Sequence, residues 1–439
     1  MAASPRERGA PPRLPRAVVA LGIVSLFTDA SAEMIVPLLP AFLLALGGTA
    51  QTLALIEGVA DTTAGLFRLI SGALADRVAR KKPLIVAGYA LSSTARPLMA
   101  LALWPWHVLT VRFLDRVGKG MRGSPRDTLV AQITAPSQRG RAFGLHRALD
   151  NAGNVVGPLL AVAFLHTLDG PPGLPDLRTL FGLAAIPAAL ALLTLLFFVK
   201  EPPRAAVDAA ESDAADAASA ASTTGAPPLA APPRPAFTIR PPAVPALRRF
   251  LGAHFLFGLG ESTDAFLLLR AAQLGVPLAQ LPLFPALLAA VRALLSTPLG
   301  ALSDRVPRKA VIVAGWSLYA LVYAGFALAS APWHAWLLIA LYGVHYSLLE
   351  GAERAFVAEL APADARGRAF GAYHFVTAIV ALPASLLFGT VMDRAGAPTA
   401  FSMGAGLAAL GTVALVATVR PPPRPPAAPP APGEAAPAV

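Results

Sequence analysis

Gly72-Ala73-Leu74-Ala75-Asp76-Arg77-Val78-Ala79-Arg80-Lys81 joins two long apolar runs, and it returns as Gly300-Ala301-Leu302-Ser303-Asp304-Arg305-Val306-Pro307-Arg308-Lys309. Glycine, Asp-Arg and Arg-Lys keep the same internal spacing in both copies. A second motif follows each copy at nearly the same offset: Gly140-Arg141-Ala142-Phe143-Gly144 is matched by Gly367-Arg368-Ala369-Phe370-Gly371. Gly123–Arg126 and Gly351–Arg354 are further repeat-matched positions. Motifs recurring in the same order mark a chain of two related halves, and this duplication frames everything else.

Of 439 residues, 55% are hydrophobic and 14% charged, with a mean hydropathy of +0.60. Soluble domains carry about a quarter charged residues, so the composition is that of a membrane protein. The chain has no cysteine, which excludes disulfides, thiol catalysis and Cys-ligated metal. Its net charge of +11 does not imply nucleic acid, because the basic residues sit between apolar spans rather than on one soluble face. The first apolar run, from about Ala17 to Leu46, is too long for a signal-peptide core and no small-residue cleavage site follows it, so it is expected to stay in the protein.

Crossing ~30 Å of hydrocarbon takes about 20 apolar residues. Twelve such runs are present, at 17–45, 51–75, 83–103, 106–131, 142–166, 178–199, 248–271, 279–302, 310–330, 334–359, 369–392 and 397–418. The predicted fold is therefore an all-α membrane protein of twelve transmembrane helices in two pseudo-symmetric six-helix bundles. Its expected divisions are a disordered tail (1–16), a first bundle (17–199), a flexible Ala/Pro/Ser-rich linker (200–247), a second bundle (248–418) and a Pro/Ala tail (419–439). Prolines within spans are tolerated where neighbouring helices satisfy the freed carbonyls. Lys and Arg concentrate in the even-to-odd connections, among them Arg77, Arg80, Lys81, Arg141, Arg305, Arg308, Lys309 and Arg368. That bias places both tails and the linker in the cytoplasm.

On these residues the chain resembles the major facilitator superfamily, whose hallmark is a G-x-x-x-D-R-x-x-R-K turn between the second and third helices. Ala79 and Pro307 stand where that turn often has glycine. The fifth span narrows the likeness to the drug/proton antiporter branch. Gly144, Gly153, Gly157 and Pro158 follow the spacing G-x8-G-x3-G-P, with Ala161 in place of a last glycine. Such a small-residue stripe permits close helix–helix approach, which the resemblance puts at the interface of the halves. The fourth span matches the proton-linked pattern of the family at Arg112 alone, because Arg116 occupies the glycine position.

Ionisable residues at membrane depth are costly and mark pathways or ion pairs. Asp29 and Glu33 share a face of the first span, and Glu57 and Asp61 a face of the second. Asp150 lies on the fifth, with Asn154 one turn away, and these five acids are the candidate proton carriers. Candidate cavity residues are Arg112, Asn154, Glu261, Asp264, Arg292, His345 and His374. The fourth span holds Arg112, Asp115, Arg116 and Lys119, too many charges to face lipid. Structural ion pairs are the competing reading for Arg96, Asp115, Arg116 and Arg147.

The resemblance further implies a conformational latch at Gly72, Asp76, Arg77 and Asp127, repeated at Gly300, Asp304 and Arg305. In it Arg77 pairs with Asp127, and Arg305 with Glu359 or Glu353. His146, His345 and His374 read more readily as hydrogen-bonded interior histidines than as metal ligands. Trp104, Trp106, Trp333 and Trp336 fall at two outer turns, as an interfacial belt requires. No nucleotide-binding loop, metalloprotease motif or nucleophile elbow is present, so no enzyme activity, metal or cofactor is expected. The expected activity is secondary transport of a small molecule by rocking of two halves in the cell membrane, coupled to protons and working as a monomer. Proton-driven export comes first, with proton symport of a polar metabolite as the alternative. A non-transporting sensor or membrane enzyme would need a folded soluble domain or a convergent catalytic set.

Overall fold

The structure, a computed structural model, describes residues 14–78, 80–134, 138–201, 244–362 and 366–420. The expected tails and linker fall largely outside the described residues, and so do the side chains of Asp76, Arg77, Gly300, Asp304 and Arg305. Among the described residues there are helices and no strand.

The first crossing is broken in two. α1 (Arg16–Glu33) and α2 (Leu39–Ala45) are separated by a 3-10 turn at Val36–Leu38. The expected continuous run fails there because Pro37 and Pro40 each lack an N–H for the helical ladder. α3 (Ala50–Arg77) starts at Thr49, whose hydroxyl accepts from the Thr52 N–H at 3.2 Å. α4 (Lys82–Ala95) tightens into a 3-10 turn at Arg96–Leu101, and α5 (Pro105–Gln132) and α6 (Arg139–Leu165) follow. α7 (Leu174–Leu183) and α8 (Ala185–Phe198) make the sixth crossing. The seventh is again interrupted, into α9 (Pro245–Gly260) and α10 (Asp264–Gln273). α11 (Leu283–Arg305), α12 (Arg308–Leu328) and α13 (Pro332–Leu360) are single helices. α14 (Arg366–Thr418) is two crossings joined at Gly396, whose φ of 82° is the left-handed region that glycine enters freely.

Twelve crossings therefore stand where the apolar runs predict them. Seven stretches are long and apolar enough to qualify as spans by those criteria alone, the last of 51 residues holding two crossings. The remaining crossings are short pieces, like α9 and α10, or carry the interior charges, like α3 and α5.

Successive crossings alternate in direction, so one end of the molecule carries the first and last described residues, 14 and 420, and the repeated Asp-Arg turns. At this terminal end Lys82 Nζ donates to the Leu196 carbonyl (3.2 Å), and the Lys81 and Lys82 N–H groups donate to Glu201 (2.6 and 3.0 Å). In the second half Lys309 Nζ caps α14 at the carbonyls of Val416 and Val419 (2.9 and 2.7 Å). Cations suit these C-termini because the last carbonyls there have no helical partner. A lysine at or just after the end of each duplicated turn, Lys82 in the first half and Lys309 in the second, thus bolts the second-to-third connection to the last helix of its half. At the far end Arg270 donates to the carbonyls of Phe326 and Ala329.

The halves have different cores. The second is aromatic: Phe257 lies 4.3 Å from Trp316 and Tyr319 lies 4.1 Å from Tyr323, centroid to centroid, all fully or almost fully buried. The first packs small residues at its helix contacts. A Cβ on Gly153 would lie 2.5 Å from the Leu26 carbonyl oxygen, and one on Gly157 2.5 Å from that of Ala30. The small-residue stripe expected at the interface of the halves instead seats α6 on α1, within the first half. Gly144 departs from it, with open space around its Cα.

Gly157→Leu should therefore overpack the α1–α6 contact and cost about 1–3 kcal/mol. Gly144→Ala should leave stability unchanged or slightly raised. Thermal unfolding of the two purified variants checks the contrast, and equal melting temperatures would contradict the packing described.

Candidate functional site in the cleft between the halves

Two seams join the halves, α3 against the first part of α14 and α6 against α11. The first is tight from the far end inwards. A Cβ on Gly389 would meet Ala54 Cβ at 2.5 Å, one on Gly58 Leu382 at 2.9 Å, and one on Gly65 Ala378 at 2.9 Å. Thr62 also donates to the Ala378 carbonyl at 3.2 Å. At the far tip the Asp393 carboxylate accepts from the N–H groups of Ala50 (3.0 Å) and Gln51 (2.8 Å). An acid of the second half thus caps the N-terminus of a helix of the first, where the helix dipole favours negative charge. Towards the terminal end Gly371 of the same seam has nothing within 4 Å of a built Cβ, and Asp61, Arg68, Asp264, Arg354 and His374 are exposed. The cleft is closed at the far end and open at the terminal end.

The first half supplies a charged wall. Glu57 takes Arg112 in a two-point ion pair, Nε–Oε1 at 2.9 Å and Nη2–Oε2 at 2.5 Å, with both residues buried. Arg96 donates to Asp115 at 2.9 Å and to the Thr28 carbonyl at 2.6 Å, tying three helices together. Arg122 donates to the Ser92 hydroxyl (2.8 Å) and stacks 4.4 Å over the Tyr89 ring. Arg112 is occupied by Glu57 and so is not available to hold Asp29, Glu33 or Asp61. Glu57 accordingly sits in the structure as an ion-pair partner.

Asp29 and Asp150 lie within electrostatic reach of each other, and Ser25 donates to Asp150 at 2.7 Å. Two carboxylates held close together repel unless one of them takes a proton. Lys119 and Arg122 are within electrostatic reach of Asp29. Gly153 and Gly157 build this arrangement, since the bare α6 backbone passes beside the Cβ atoms of Asp29 and Glu33. Glu33 is half-buried, and Asn154 lies half-buried one turn beyond Asp150. Asp61 is exposed and stands within electrostatic reach of Asp264 of the second half.

The second half offers Asp264, which accepts from the hydroxyls of Tyr342 (2.9 Å) and Tyr346 (3.4 Å), with Arg292 stacked 5.1 Å over the Tyr346 ring. Glu261 lies in the α9–α10 break. His345 is buried with Nδ1 turned to the Gly315 carbonyl at 2.8 Å, which makes it an interior histidine rather than a cavity one. His374 is exposed. The tyrosine set is a component that apolar periodicity conceals, because tyrosines in a helix read as core.

The latch residues divide. Asp127 pairs with its neighbour Arg126 at 3.1 Å, and Gly72 faces Ser124. Glu359 takes Arg308 at 3.1 Å, while the side chain of Arg305, expected to pair with it, lies outside the described residues. Glu353 is buried and accepts from Trp316 (2.7 Å) and Tyr373 (2.6 Å), inside the second half and away from any latch. Among the described residues no cluster of His, Asp and Glu could hold a metal ion.

A charged cleft between two six-helix bundles, sealed at one end and open at the other, is the architecture of a multi-pass membrane transporter. The chain belongs to the Major Facilitator Superfamily, whose family model matches residues 21–385 and 250–439. It is 29% identical over 387 residues to an uncharacterized MFS-type transporter of Methanocaldococcus jannaschii, covering 86% of this chain and 88% of that one. Shorter likenesses reach multidrug resistance protein MdtG of Salmonella heidelberg, at 29% over 37% of this chain and 41% of that one. MdtH of Edwardsiella ictaluri is 36% identical over 24% of this chain and 27% of that one. In fold the chain is similar to a POT family transporter crystallised with 5-aminolevulinic acid (TM-score 0.72, 14% identity, 92% of this chain and 96% of that one). The nucleoside transporter NupG is similar too (TM-score 0.71, 13% identity, 92% and 98%).

Arg112→Met should strand the buried Glu57 charge and cost about 3–5 kcal/mol, while Arg112→Met with Glu57→Leu should recover most of that loss. Thermal unfolding of the two singles and the double reads the coupling, and additive losses would remove the pair.

Proposed function

We propose that this transporter exports a small organic molecule in exchange for protons, by secondary active transport in the cell membrane. The observation that carries the reading is the Asp29–Asp150 pair: an acid dyad in the wall of the cleft, able to hold one proton and to lose it when the local charge changes. Lys119 is the cation best placed to answer that change. Asp61, at the open cleft and facing Asp264, is a second site at which proton and substrate compete. With the basic, terminal end in the cytoplasm, the conformation is the inward-open one, and the Asp393 cap is what parts when the halves rock. The multidrug resistance proteins among the relatives favour export. The ion-rich first half also suits symport of a polar metabolite, the reading to which the same assay would turn.

In proteoliposomes carrying a pH gradient, Asp29→Asn and Asp150→Asn should each lower proton-driven substrate accumulation at least tenfold while leaving downhill exchange in place. Full coupling in both variants would sink the dyad's role, and flux of substrate and protons in the same direction would replace antiport by symport. Asp393→Ala should remove a cap worth about 1 kcal/mol and shift the population towards the far-end-open state. Labels on single cysteines introduced into this cysteine-free chain, read by their accessibility from each side, report that shift. An unchanged pattern would show that the cap does not hold the far end shut.

A further inference from the structure

The open end of the cleft repeats one local pattern on four helices. Gly123 precedes Arg126, Gly144 precedes Arg147, Gly351 precedes Arg354 and Gly371 precedes His374, each by three residues. On a helix that spacing puts the glycine and the basic residue on one face. Three of these glycines look onto open space, and the only neighbour at Gly123 is the Arg68 guanidinium, 4.0 Å from a built Cβ. Arg126 turns back into the first half towards Ser25 and Asp127, and the other basic side chains are exposed. Arg68 of α3 is within electrostatic reach of Arg126, Arg147 and Arg354, and His374 of both Arg354 and Arg68. Arg68, Arg354 and His374 are exposed, and the Arg147 side chain is 63% exposed.

Among the described residues acids answer part of this charge, and Asp127 lies within electrostatic reach of Arg68 as well. Asp127 pairs with Arg126, and Arg147 reaches Asp150 at 3.9 Å. Arginines that serve membrane topology alone belong at headgroup level in loops. These come from within helices of both halves, and Arg68 lies within electrostatic reach of Arg147 and Arg354. Like charges held together in a narrow low-dielectric mouth repel one another and focus field on whatever enters.

We propose that the terminal-end mouth of the cleft is an anion-binding antechamber, in which Arg68, Arg147 and Arg354 take the carboxylate or phosphate group of an organic anion. Guanidinium groups suit this chemistry because their planar forks bind such groups through two parallel hydrogen bonds. The arginines come from both halves, so an anion there bridges them and favours their approach at this end. As a statement of substrate class it rests on the reading of the cleft as the transport path. The anion has two sources, a soluble substrate or an anionic lipid headgroup entering from the side.

The test uses the full chain in nanodiscs of purely zwitterionic lipid, with phenyl phosphate as anionic probe and phenyltrimethylammonium as its cationic counterpart. Phenyl phosphate should raise the melting temperature saturably and the cation should not. Arg68→Gln with Arg354→Gln should weaken the anion at least tenfold, and raising the salt should weaken it in the wild type. Arg147→Gln, a change at an exposed side chain, gives the same reading if the double variant does not fold. In nanodiscs with a fifth anionic lipid, arginine-dependent stabilisation without added probe supports the site and names the headgroup as its source. Absence of saturable, arginine-dependent stabilisation by probe and by anionic lipid overturns the proposal. The assay reads binding, so its failure leaves the Asp29–Asp150 dyad standing, and a dyad that fails in flux assays leaves anion binding untouched.

Discussion

Charge cannot stay unpaired in hydrocarbon, and this fold is arranged around meeting that demand. α5 alone carries Arg112, Asp115, Arg116, Lys119, Arg122, Arg126 and Asp127 along one helix. It can cross a bilayer only with its charged face turned to other helices or to water. The structure divides the load. Arg112 and Asp115 are paired out by α3 and by Arg96. Arg122 is buried against Ser92 and the face of Tyr89, and Arg126 turns towards Asp127 and Ser25. Buried pairs of this kind are weak sources of net stability, but removing one partner is expensive, so they fix which helices must neighbour which.

The second half meets no such demand, and its wall is correspondingly different. Where the first half sets ion pairs, the second sets tyrosines whose hydroxyls find Asp264, Ser262 and Glu353. The duplicated framework is kept in the sequence of the turns, while the cleft-facing positions have diverged. A transporter gains from that asymmetry. One wall supplies carboxyl groups and fixed charge, and the other a large, rigid, amphipathic surface against which a substrate can lie.

Twelve crossings and two halves are legible because apolar run length and exact repetition are properties of consecutive residues. Ion-pair types were legible too, since a helix crowded with arginines must find acids. Partner identity was not. Glu57 rather than Asp29 reaches Arg112 because the register between α3 and α5 decides it, and register depends on which glycines let backbones approach. Gly153 and Gly157 were visible as a spacing, yet whether they faced the other half or α1 could be read only from packing. The break after Glu33 is local proline chemistry and lay open to inspection at Pro37 and Pro40. The Asp393 cap was hidden for the opposite reason, since acceptor and donors are 343 and 342 residues apart.

The same packing ties the dyad to the rocking motion. α6 carries Asp150 on the side that glycines press against α1, and it also meets α11 at a seam between the halves. A tilt of one half against the other must therefore move α6 relative to α1, α11 or both. The α1 contact has backbone carbonyls at 2.5 Å from any added Cβ and so little freedom to slide. The motion then falls on the α6–α11 seam and on the Asp393 cap, and Asp29 and Asp150 travel together as one unit. On the proposed antiport reading a proton shared by the pair would travel with it, and what alternates would be the access of water and of Lys119 to the pair. Coupling in this arrangement requires no change in the dyad's own geometry, only a change in what faces it.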